Sequence, residues 1–297
     1  MAVVICFANM KGGVGKTTLC VNLAFDLFRH KKNVLVVDND PQFNATSALI
    51  RPQMYIDNII KDKNYLTIYD IYEKPPRIRG TKVEKHNPQK FFISLWHIGE
   101  DEFVLDLIPS RIELYETLRN PSQKEYLLNK FIEEHAKKYD YIFIDCPPTP
   151  SVLNLSAFAA SDYVIIPVTP DYYSTMGLPQ FLGTLKDFKA DLMDPHKITP
   201  LGVVFTNVQR KKSKDTQKSI DLVIEALDES SENIHVFKSE MSHLNVYQKT
   251  LWQSVPVQKI SGKGIRGKNE AIAELRNIAR ELEDEIKKKK GSGKNGK

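Results

Sequence analysis

Short apolar runs alternate with amphipathic stretches along most of the chain. Six runs rich in β-branched and aromatic residues are bounded by polar or turn-forming residues, and they span 2–8, 33–40, 103–110, 139–148, 162–170 and 201–208. Runs of this length predict strands that are buried on both faces, as in a parallel sheet. The stretch "TTLCVNLAFDLFRHK" between the first two runs has the apolar spacing of a helix. The pattern therefore predicts one α/β domain with a doubly wound, mostly parallel sheet flanked by helices.

A helical pattern also runs from about Asn269 to Lys290. Its apolar face is formed by Ile272, Leu275, Ile278, Ala279, Leu282 and Ile286. We expect this helix to pack on the sheet. A helix that lies on a membrane surface is the alternative, but the acids of its polar face, such as Glu281 and Glu285, would be repelled by an anionic leaflet.

Two polar segments set the expected limits of the domain. The last twelve residues, "IKKKKGSGKNGK", carry six lysines and no acid, which leaves the rest of the chain close to neutral although its net charge is +5. We place one domain at 1–285 and expect 286–297 to be a solvated, disordered tail, with an arm for nucleic acid or membrane as the alternative. The basic, proline-rich segment 74–90 predicts a surface excursion between elements.

Cysteine usage and hydropathy narrow the cellular setting. Cys6, Cys20 and Cys146 lie far apart and form no Cys-x-x-Cys pair, which argues against a disulfide framework or a zinc site and favours a reducing compartment. No apolar run is long enough to span a bilayer, and the N-terminal residues lack the pattern of a signal peptide. We therefore expect a cytoplasmic protein.

The segment "KGGVGKTT" (11–18) lies between the first predicted strand and helix. A full P-loop would have glycine at position 10, where this chain has Met10, so the segment is the deviant form of that loop. Its glycines let backbone N–H groups surround a β-phosphate at the positive end of the helix. Lys16 would neutralise the β- and γ-phosphates, and the Thr17 hydroxyl would bind Mg²⁺. The predicted phosphate-binding residues are Gly12, Gly13, Val14, Gly15, Lys16, Thr17 and Thr18.

Aspartates lie at the C-terminal ends of two predicted strands. Asp145 ends "YIFID", where a Walker B acid belongs, and Asp38 and Asp40 end "VVDND". Because parallel strands end at one edge of the sheet, these acids gather beside the P-loop. An acid at the end of an apolar strand is costly to bury unless it serves a cation or a hydrogen-bond network. The sequence thus predicts ATP bound with Mg²⁺.

With these motifs, the chain resembles the ParA/MinD family of deviant Walker A ATPases, which have the P-loop NTPase fold. The resemblance rests on "KGGVGKTT", "VVDNDPQFNATS", "LDLIPSRIEL", "YDYIFIDCPPTPSVLNLSAFAASDYVIIPV" and "SVPVQKISGKG", in that order, and extends from Ala2 to about Leu282. Within the family, the chain looks most similar to ParA-type partition ATPases.

The resemblance implies roles for individual residues. Lys11 matches the signature lysine, which reaches across an ATP-sandwich dimer to the partner's phosphates, much like an arginine finger. Asp40 matches the acid that positions the attacking water, so the implied catalytic residues are Lys11, Lys16 and Asp40. Asp38 and Asp145, with Thr17, match the residues around Mg²⁺. The adenine contacts are implied to be Asn207, Pro256 and Val257.

ParA-type dimers bind DNA without sequence preference, and a partner protein stimulates hydrolysis. Two basic segments could supply the DNA contacts. The first segment (210–218) contributes Arg210, Lys211, Lys212, Lys214 and Lys218. The second (259–268) contributes Lys263 and Arg266. The resemblance thus implies an ATP-dependent homodimer on the nucleoid that drives plasmid or chromosome partition with a ParB-like centromere-binding or adaptor protein. The first strand starts at residue 2 or 3, so we do not expect an N-terminal helix-turn-helix domain or operator-specific repression.

Three other functions remain open at this point. A positioning ATPase would use the same DNA-bound gradient for a protein cargo. A MinD-like ATPase would act on a membrane surface, which the acidic last helix opposes. A metabolic enzyme on the same scaffold would need its own substrate site, and an iron–sulfur cluster at a dimer interface has no evident cysteine pair here.

Overall fold

The computed structural model describes residues 2–61, 64–73, 87–100, 102–191, 198–230 and 233–292. Most of the predicted excursion, residues 74–86, lies outside the described residues. The strands are Val3–Phe7 (β1), Val34–Asp38 (β2), Ile93–Ile98 (β3), Phe103–Ile108 (β4), Tyr141–Asp145 (β5), Tyr163–Val168 (β6), Thr199–Phe205 (β7) and His235–Val236 (β8).

Helices connect most of these strands. They are Lys16–Arg29 (α1), Asn44–Leu49 (α2), Pro52–Tyr55 (α3), Ile68–Tyr72 (α4), Tyr115–Arg119 (α5), Leu127–His135 (α6), Val152–Ala160 (α7), Tyr172–Asp191 (α8), Lys214–Asp228 (α9), Asn245–Gln253 (α10) and Lys268–Ser292 (α11). A π-helical turn, Ile56–Lys61, extends α3, and short 3₁₀ turns occupy Pro88–Phe91, Ile112–Leu114 and Val257–Lys259.

The strands form one eight-stranded sheet in the order β3-β4-β2-β5-β1-β6-β7-β8. All neighbouring pairs are parallel except β3 with β4, which is antiparallel. The mostly parallel, doubly wound sheet predicted from the apolar runs is therefore confirmed. All six predicted strands are present.

Helices cover both faces of the sheet. One core layer contains apolar residues of α1, α2, α10 and α11, and the other contains those of α4, α6, α7, α8 and α9. The central strands are buried on both sides, which explains why they read as continuous apolar runs. The apolar face of α11 lies in the first layer, where Leu275, Ile278 and Leu282 are fully buried. Packing of the last helix against the body of the domain is thus confirmed.

The last helix extends into the predicted tail, in agreement with the helical pattern that runs to about Lys290. The predicted disordered tail begins at 286, whereas α11 continues to Ser292. Lysine–acid pairs one turn apart support the extension, such as Lys287 Nζ with Asp284 Oδ1 at 3.2 Å. Cations near a helix C-terminus are also favoured by the helix dipole. Residues 293–297 lie outside the described residues.

The register of strands β1, β2 and β5 places the predicted acids side by side. In the β2–β5 pair Asp38 lies opposite Asp145, and in the β1–β5 pair Phe7 lies opposite Asp145. The loop after β1 is the predicted P-loop. The C-terminal edge of the central strands therefore carries the glycine-rich loop and both carboxylates side by side, as expected for a doubly wound sheet.

Candidate functional site

The P-loop has the backbone geometry that its glycines predict. Gly13 and Gly15 have φ values of 74° and 79°, which lie in the left-handed region. Helix α1 begins directly after Gly15, so its free N–H groups point toward the loop. A Cβ atom at Gly15 would lie 3.0 Å from the Met241 methyl carbon, so the position is also tightly packed.

Two residues that follow strand β7 hold the loop from the other side. The Thr206 hydroxyl donates to the Val14 carbonyl at 2.7 Å, and the Asn207 amide donates to the Gly13 carbonyl at 3.1 Å. These bonds orient two carbonyls of the loop away from its centre, which leaves the N–H groups for an anion. The sequence motifs do not include Thr206. Its position at the end of a predicted parallel strand is the signal that could have identified it.

The ammonium of Lys16 is buried, and the protein supplies little negative charge to balance it. Its ammonium donates to the Lys11 carbonyl at 3.0 Å. Burial lowers the pKa of Lys16, and the nearby carboxylates of Asp145 and Asp40 oppose this shift only partly. A phosphate group placed here would supply the missing negative charge, which is the role that the sequence predicts for this lysine.

The acids beside the loop form a site that fits Mg²⁺. The Thr17 hydroxyl donates to Asp145 Oδ2 at 2.6 Å. The other carboxylate oxygen, Oδ1, is buried and has no hydrogen-bond partner among the described residues. Burial and the charge of Asp38 raise the pKa of Asp145 well above its usual range. A hard cation held by oxygen ligands would satisfy the free oxygen and favour the ionised carboxylate.

The described residues contain no ready cluster of three His, Cys, Asp or Glu ligands. Mg²⁺ at a phosphate site does not need one, because it is usually held by one or two carboxylates, water and the phosphates themselves. Asp145 and the Thr17 hydroxyl could hold the ion in this way, and the predicted ligand Asp38 lies opposite Asp145 in the neighbouring strand. Bound there, Mg²⁺ would neutralise charge on the phosphate oxygens.

The carboxylates of Asp38 and Asp40 have different surroundings. Asp38 is fully buried, and its Oδ2 accepts from the Thr46 N–H at 2.7 Å and from the Thr46 hydroxyl at 2.6 Å. Burial raises the pKa of Asp38 to about 7, although these hydrogen bonds oppose the shift. Asp40 lines the cleft beside the P-loop, and its Oδ1 accepts from the Gln42 N–H at 2.9 Å. Of these two acids, Asp40 is thus the one placed to contact a water in the cleft.

A cleft of about 360 Å³ extends from the P-loop toward α10. Beyond the loop, its wall is formed by Asn207, His243, Leu244, Tyr247, Gln248, Thr250, Leu251 and Val255. The size and the mixture of apolar and polar side chains suit a nucleotide base. Asn207 lines this cleft, and its contact with adenine stays a prediction.

Pro256 and Val257, the other predicted adenine contacts, are not among the residues that line the cleft. Both are buried, and the Val257 N–H donates to Asn22 Oδ1 at 2.8 Å. That bond turns the segment toward α1 and the core. The residue one step earlier, Val255, provides the wall instead.

Lys11 lies outside the cleft. Its ammonium forms an ion pair with Asp171 and lies 3.4 Å from Ser174 Oγ and 5.9 Å from the centre of the Tyr173 ring. Partial burial works against ionisation of Asp171, but the hydrogen bond from Lys11 holds the pKa of that carboxyl below its usual range. The two lysines of "KGGVGKTT" are therefore separated in space, with Lys16 in the cleft and Lys11 on the surface beside it.

The structure brings the two basic segments together at one place. Arg210 forms a bidentate ion pair with Glu270, in the first turn of α11, directly after the second segment. Lys212 pairs with Glu240 at 2.8 Å. Lys211, Lys214, Lys218, Lys263 and Arg266 make no ion pair with the described residues. Two of the predicted DNA-binding cations are therefore partly neutralised within the chain.

Comparison with known proteins identifies the family. A family model described as an AAA domain matches residues 2–198. The sporulation initiation inhibitor protein Soj of Bacillus subtilis is 36% identical over 200 residues, which cover 65% of this chain and 70% of Soj. The chromosome partitioning protein ParA of Myxococcus xanthus is 36% identical over 191 residues, which cover 64% of this chain and 60% of that protein. This chain belongs to the ParA/MinD family of P-loop ATPases.

Solved structures share the fold of this ParA/MinD-family chain. The pNOB8 ParA structure has a TM-score of 0.72 at 21% identity and covers 97% of this chain and all of its own. Cobyrinic acid a,c-diamide synthase from Mycobacterium smegmatis, with bound ADP and magnesium, has a TM-score of 0.70 at 23% identity, with 97% and 96% covered. Together with the phosphate loop and the free Asp145 oxygen, the family assignment makes the protein an ATPase that uses ATP and Mg²⁺.

Proposed function

We propose that this ATPase drives DNA partition as an ATP-dependent homodimer that binds DNA without sequence preference. The observation that carries the proposal is the placement of the two P-loop lysines: Lys16 in the nucleotide cleft, and Lys11 on the adjoining surface. The names of the relatives, a chromosome partitioning protein and Soj, support the cellular role. One neighbouring structure is of pNOB8 ParA bound to nonspecific DNA.

The surroundings of Lys11 support a dimer that closes over the nucleotide. Lys11 cannot serve its own cleft while it is paired with Asp171, but a second subunit facing this edge would bring its phosphates within reach. Next to the pair, the side chains of Tyr172, Tyr173 and Met176 are exposed, with Tyr173 at 74%. Exposed apolar side chains that cluster beside a binding site are typical of surfaces that contact another protein. ATP would then hold the dimer together, and hydrolysis would release it.

Asp40 is proposed to act on the attacking water. It lines the cleft at the phosphate end, and its backbone is held by Ser110, whose hydroxyl donates to the Asp40 carbonyl at 2.8 Å. Burial raises the pKa of Asp40, while the charge of Lys16 opposes the shift. A carboxylate with a raised pKa is suited to accept a hydrogen bond or proton from water.

The basic surface around 210–218 and 259–268 is the proposed DNA contact. Cations that meet phosphates give affinity without sequence information, which suits a protein that must bind anywhere on a chromosome. A ParB-like protein is the proposed stimulator of hydrolysis. In the ATP-bound state the protein would be cytoplasmic and nucleoid-associated. None of the described helices combines the length and the hydrophobicity needed to cross a membrane.

The proposal is tested by DNA binding in different nucleotide states. Fluorescence anisotropy of a labelled duplex of random sequence would be measured with ATP, with ADP and with no nucleotide. We expect binding with ATP only. Asp40→Ala should give longer-lived binding, because this variant is expected to bind ATP but to hydrolyse it poorly. Duplex binding that is equal in all nucleotide states would refute the proposed ATP-controlled cycle.

A further inference from the structure

Trp252 is the most exposed large apolar side chain among the described residues, at 91% of its full surface. It lies in the last turn of α10, and its neighbour Leu251 is also more than half exposed. Tryptophan rarely remains so exposed in a soluble protein unless it contacts a partner. The other tryptophan of the chain, Trp96, instead packs on the Phe25 ring at 5.2 Å.

The chain around Trp252 is strongly basic. Residues 249–268 contain five cations and no acid. These cations are Lys249, Lys259, Lys263, Arg266 and Lys268. The ion pair between Arg210 and Glu270 attaches the loop after β7 to the same surface. Lys268 donates to the Ile260 carbonyl at 2.8 Å, and Lys259 lies 5.9 Å from the centre of the Phe25 ring. An exposed indole in a basic stretch of chain is complementary to a polyanion that also presents aromatic or apolar faces.

Hydrogen bonds join the end of α10, which carries Trp252, to the basic loop that follows it. The Ser261 N–H donates to Gln253 Oε1 at 3.0 Å, and the Gln253 amide donates to the Ser261 carbonyl at 3.0 Å. They attach the basic loop to the residue that follows Trp252. The helix end that carries the indole is therefore held in place, so little ordering of its backbone would be needed on binding.

We infer that Trp252 is an apolar anchor of the DNA-binding surface, with its indole against the sugars and base edges of one groove while the neighbouring cations hold the flanking phosphates. The inference rests on the proposed function and assigns the DNA contact to the α10–α11 segment. Apolar side chains that enter a groove add affinity without requiring a base sequence.

Other occupants fit this surface less well. If this patch met its own copy on a two-fold axis, the positive charges on the two sides would repel each other. A membrane-surface helix needs a continuous apolar face, whereas α10 has only nine residues and its Val246 and Tyr247 side chains are already buried in the core.

The salt dependence of binding separates an apolar anchor from a phosphate contact. With ATP present, Trp252→Ala should weaken duplex binding by about five- to tenfold, with the slope of log K against log salt unchanged, since no charge is removed. Lys263→Gln should weaken binding and also flatten that slope by about 0.9. Trp252→Phe should retain most of the affinity. Equal affinity of Trp252→Ala and the unsubstituted protein, while both bind duplex, would overturn the inference and leave the proposed function intact.

Fluorescence tests the contact directly. In Trp96→Phe, Trp252 is the remaining tryptophan, and its emission should be quenched or blue-shifted when duplex is added in the presence of a non-hydrolysable ATP analogue. A shift caused by the analogue alone would assign Trp252 to the dimer contact or the nucleotide. A shift with anionic phosphatidylglycerol vesicles but not with duplex would assign it to a membrane. Either result overturns the inference, whereas absence of any duplex binding would overturn the proposed function as well.

Discussion

The ammonium of Lys16 is buried, and among the described residues it donates a hydrogen bond only to the Lys11 carbonyl. The phosphates of ATP would therefore be its main counter-charge. Lys16→Ala should abolish ATP binding, measured by titration with a fluorescent ATP analogue. Lys130→Ala is the control, because it removes an exposed lysine of α6 that does not line the cleft. Unchanged affinity of Lys16→Ala would contradict the P-loop assignment.

Asp38 makes stability depend on pH. Its pKa is raised to about 7 in the folded protein, mainly by burial, so between about pH 4 and 7 the folded state binds more protons than the unfolded state. Stability contributed by this group therefore falls as pH rises through that window, by up to about 4 kcal/mol. Above about pH 7 the contribution is constant.

Asp38→Asn keeps the oxygen that accepts from Thr46 but removes the titration. The free energy of unfolding would be measured in guanidinium at pH 5 and at pH 8, in the presence of EDTA. Between these two pH values it should fall more for the unsubstituted protein than for Asp38→Asn. If the free energy of unfolding falls equally in the two proteins, Asp38 does not titrate in this range.

At the scale of elements, the two basic segments should contribute unequally to DNA binding. Arg210 and Lys212 are paired with Glu270 and Glu240, whereas Lys263 and Arg266 make no ion pair with described residues. A phosphate must compete with the acid for a paired cation, so neutralising that cation weakens binding less. The double variant Lys263→Gln/Arg266→Gln should thus flatten the salt slope more than Arg210→Gln/Lys212→Gln, by about 0.9 for each phosphate that is no longer neutralised.

The same anisotropy titrations at several salt concentrations would measure both slopes. Nucleotide affinity should be unchanged in both double variants, because none of the four residues lines the cleft. If a chain shortened by its lysine-rich end loses all DNA binding while both double variants bind normally, the DNA-binding site lies in the tail instead.

The elements that were predicted correctly are those with a strong local pattern. The central strands are buried on both faces and read as apolar runs, and the P-loop glycines have the left-handed φ values that their position requires. Strand β3 was missed because it is an antiparallel edge strand, half exposed and irregular between Ser94 and Trp96. Strand β8 was missed because it has only two residues.

The parts of the site that were missed depend on tertiary contacts. Asp171 follows a predicted parallel strand, so the rule that located Asp38 and Asp145 could have placed it at the same edge. Its pairing with Lys11 could not be predicted, since 160 residues separate the two in sequence. The inward turn of Val257 likewise depends on a hydrogen bond to Asn22 in α1.

At the scale of the whole molecule, one edge of the sheet carries the P-loop, the acids, Lys11 and exposed aromatic side chains, while the basic surface lies around the start of α11. The proposed subunit contact would therefore share this edge with the nucleotide site, while the proposed DNA contact lies on the basic surface. In the proposed cycle, ATP would control DNA affinity through dimer formation, because two modest basic surfaces bind a polymer far more tightly when they are linked.

The most direct test of this account is the mass of Lys11→Ala in the presence of ATP, measured by sedimentation velocity beside the unsubstituted protein and Lys16→Ala. We predict that the unsubstituted protein forms a dimer with ATP, and that Lys11→Ala binds ATP with nearly normal affinity but remains a monomer. Lys16→Ala should fail at both steps. If Lys11→Ala forms the ATP dimer normally, or loses ATP binding as completely as Lys16→Ala, Lys11 does not act across a subunit interface and the proposed mechanism is contradicted.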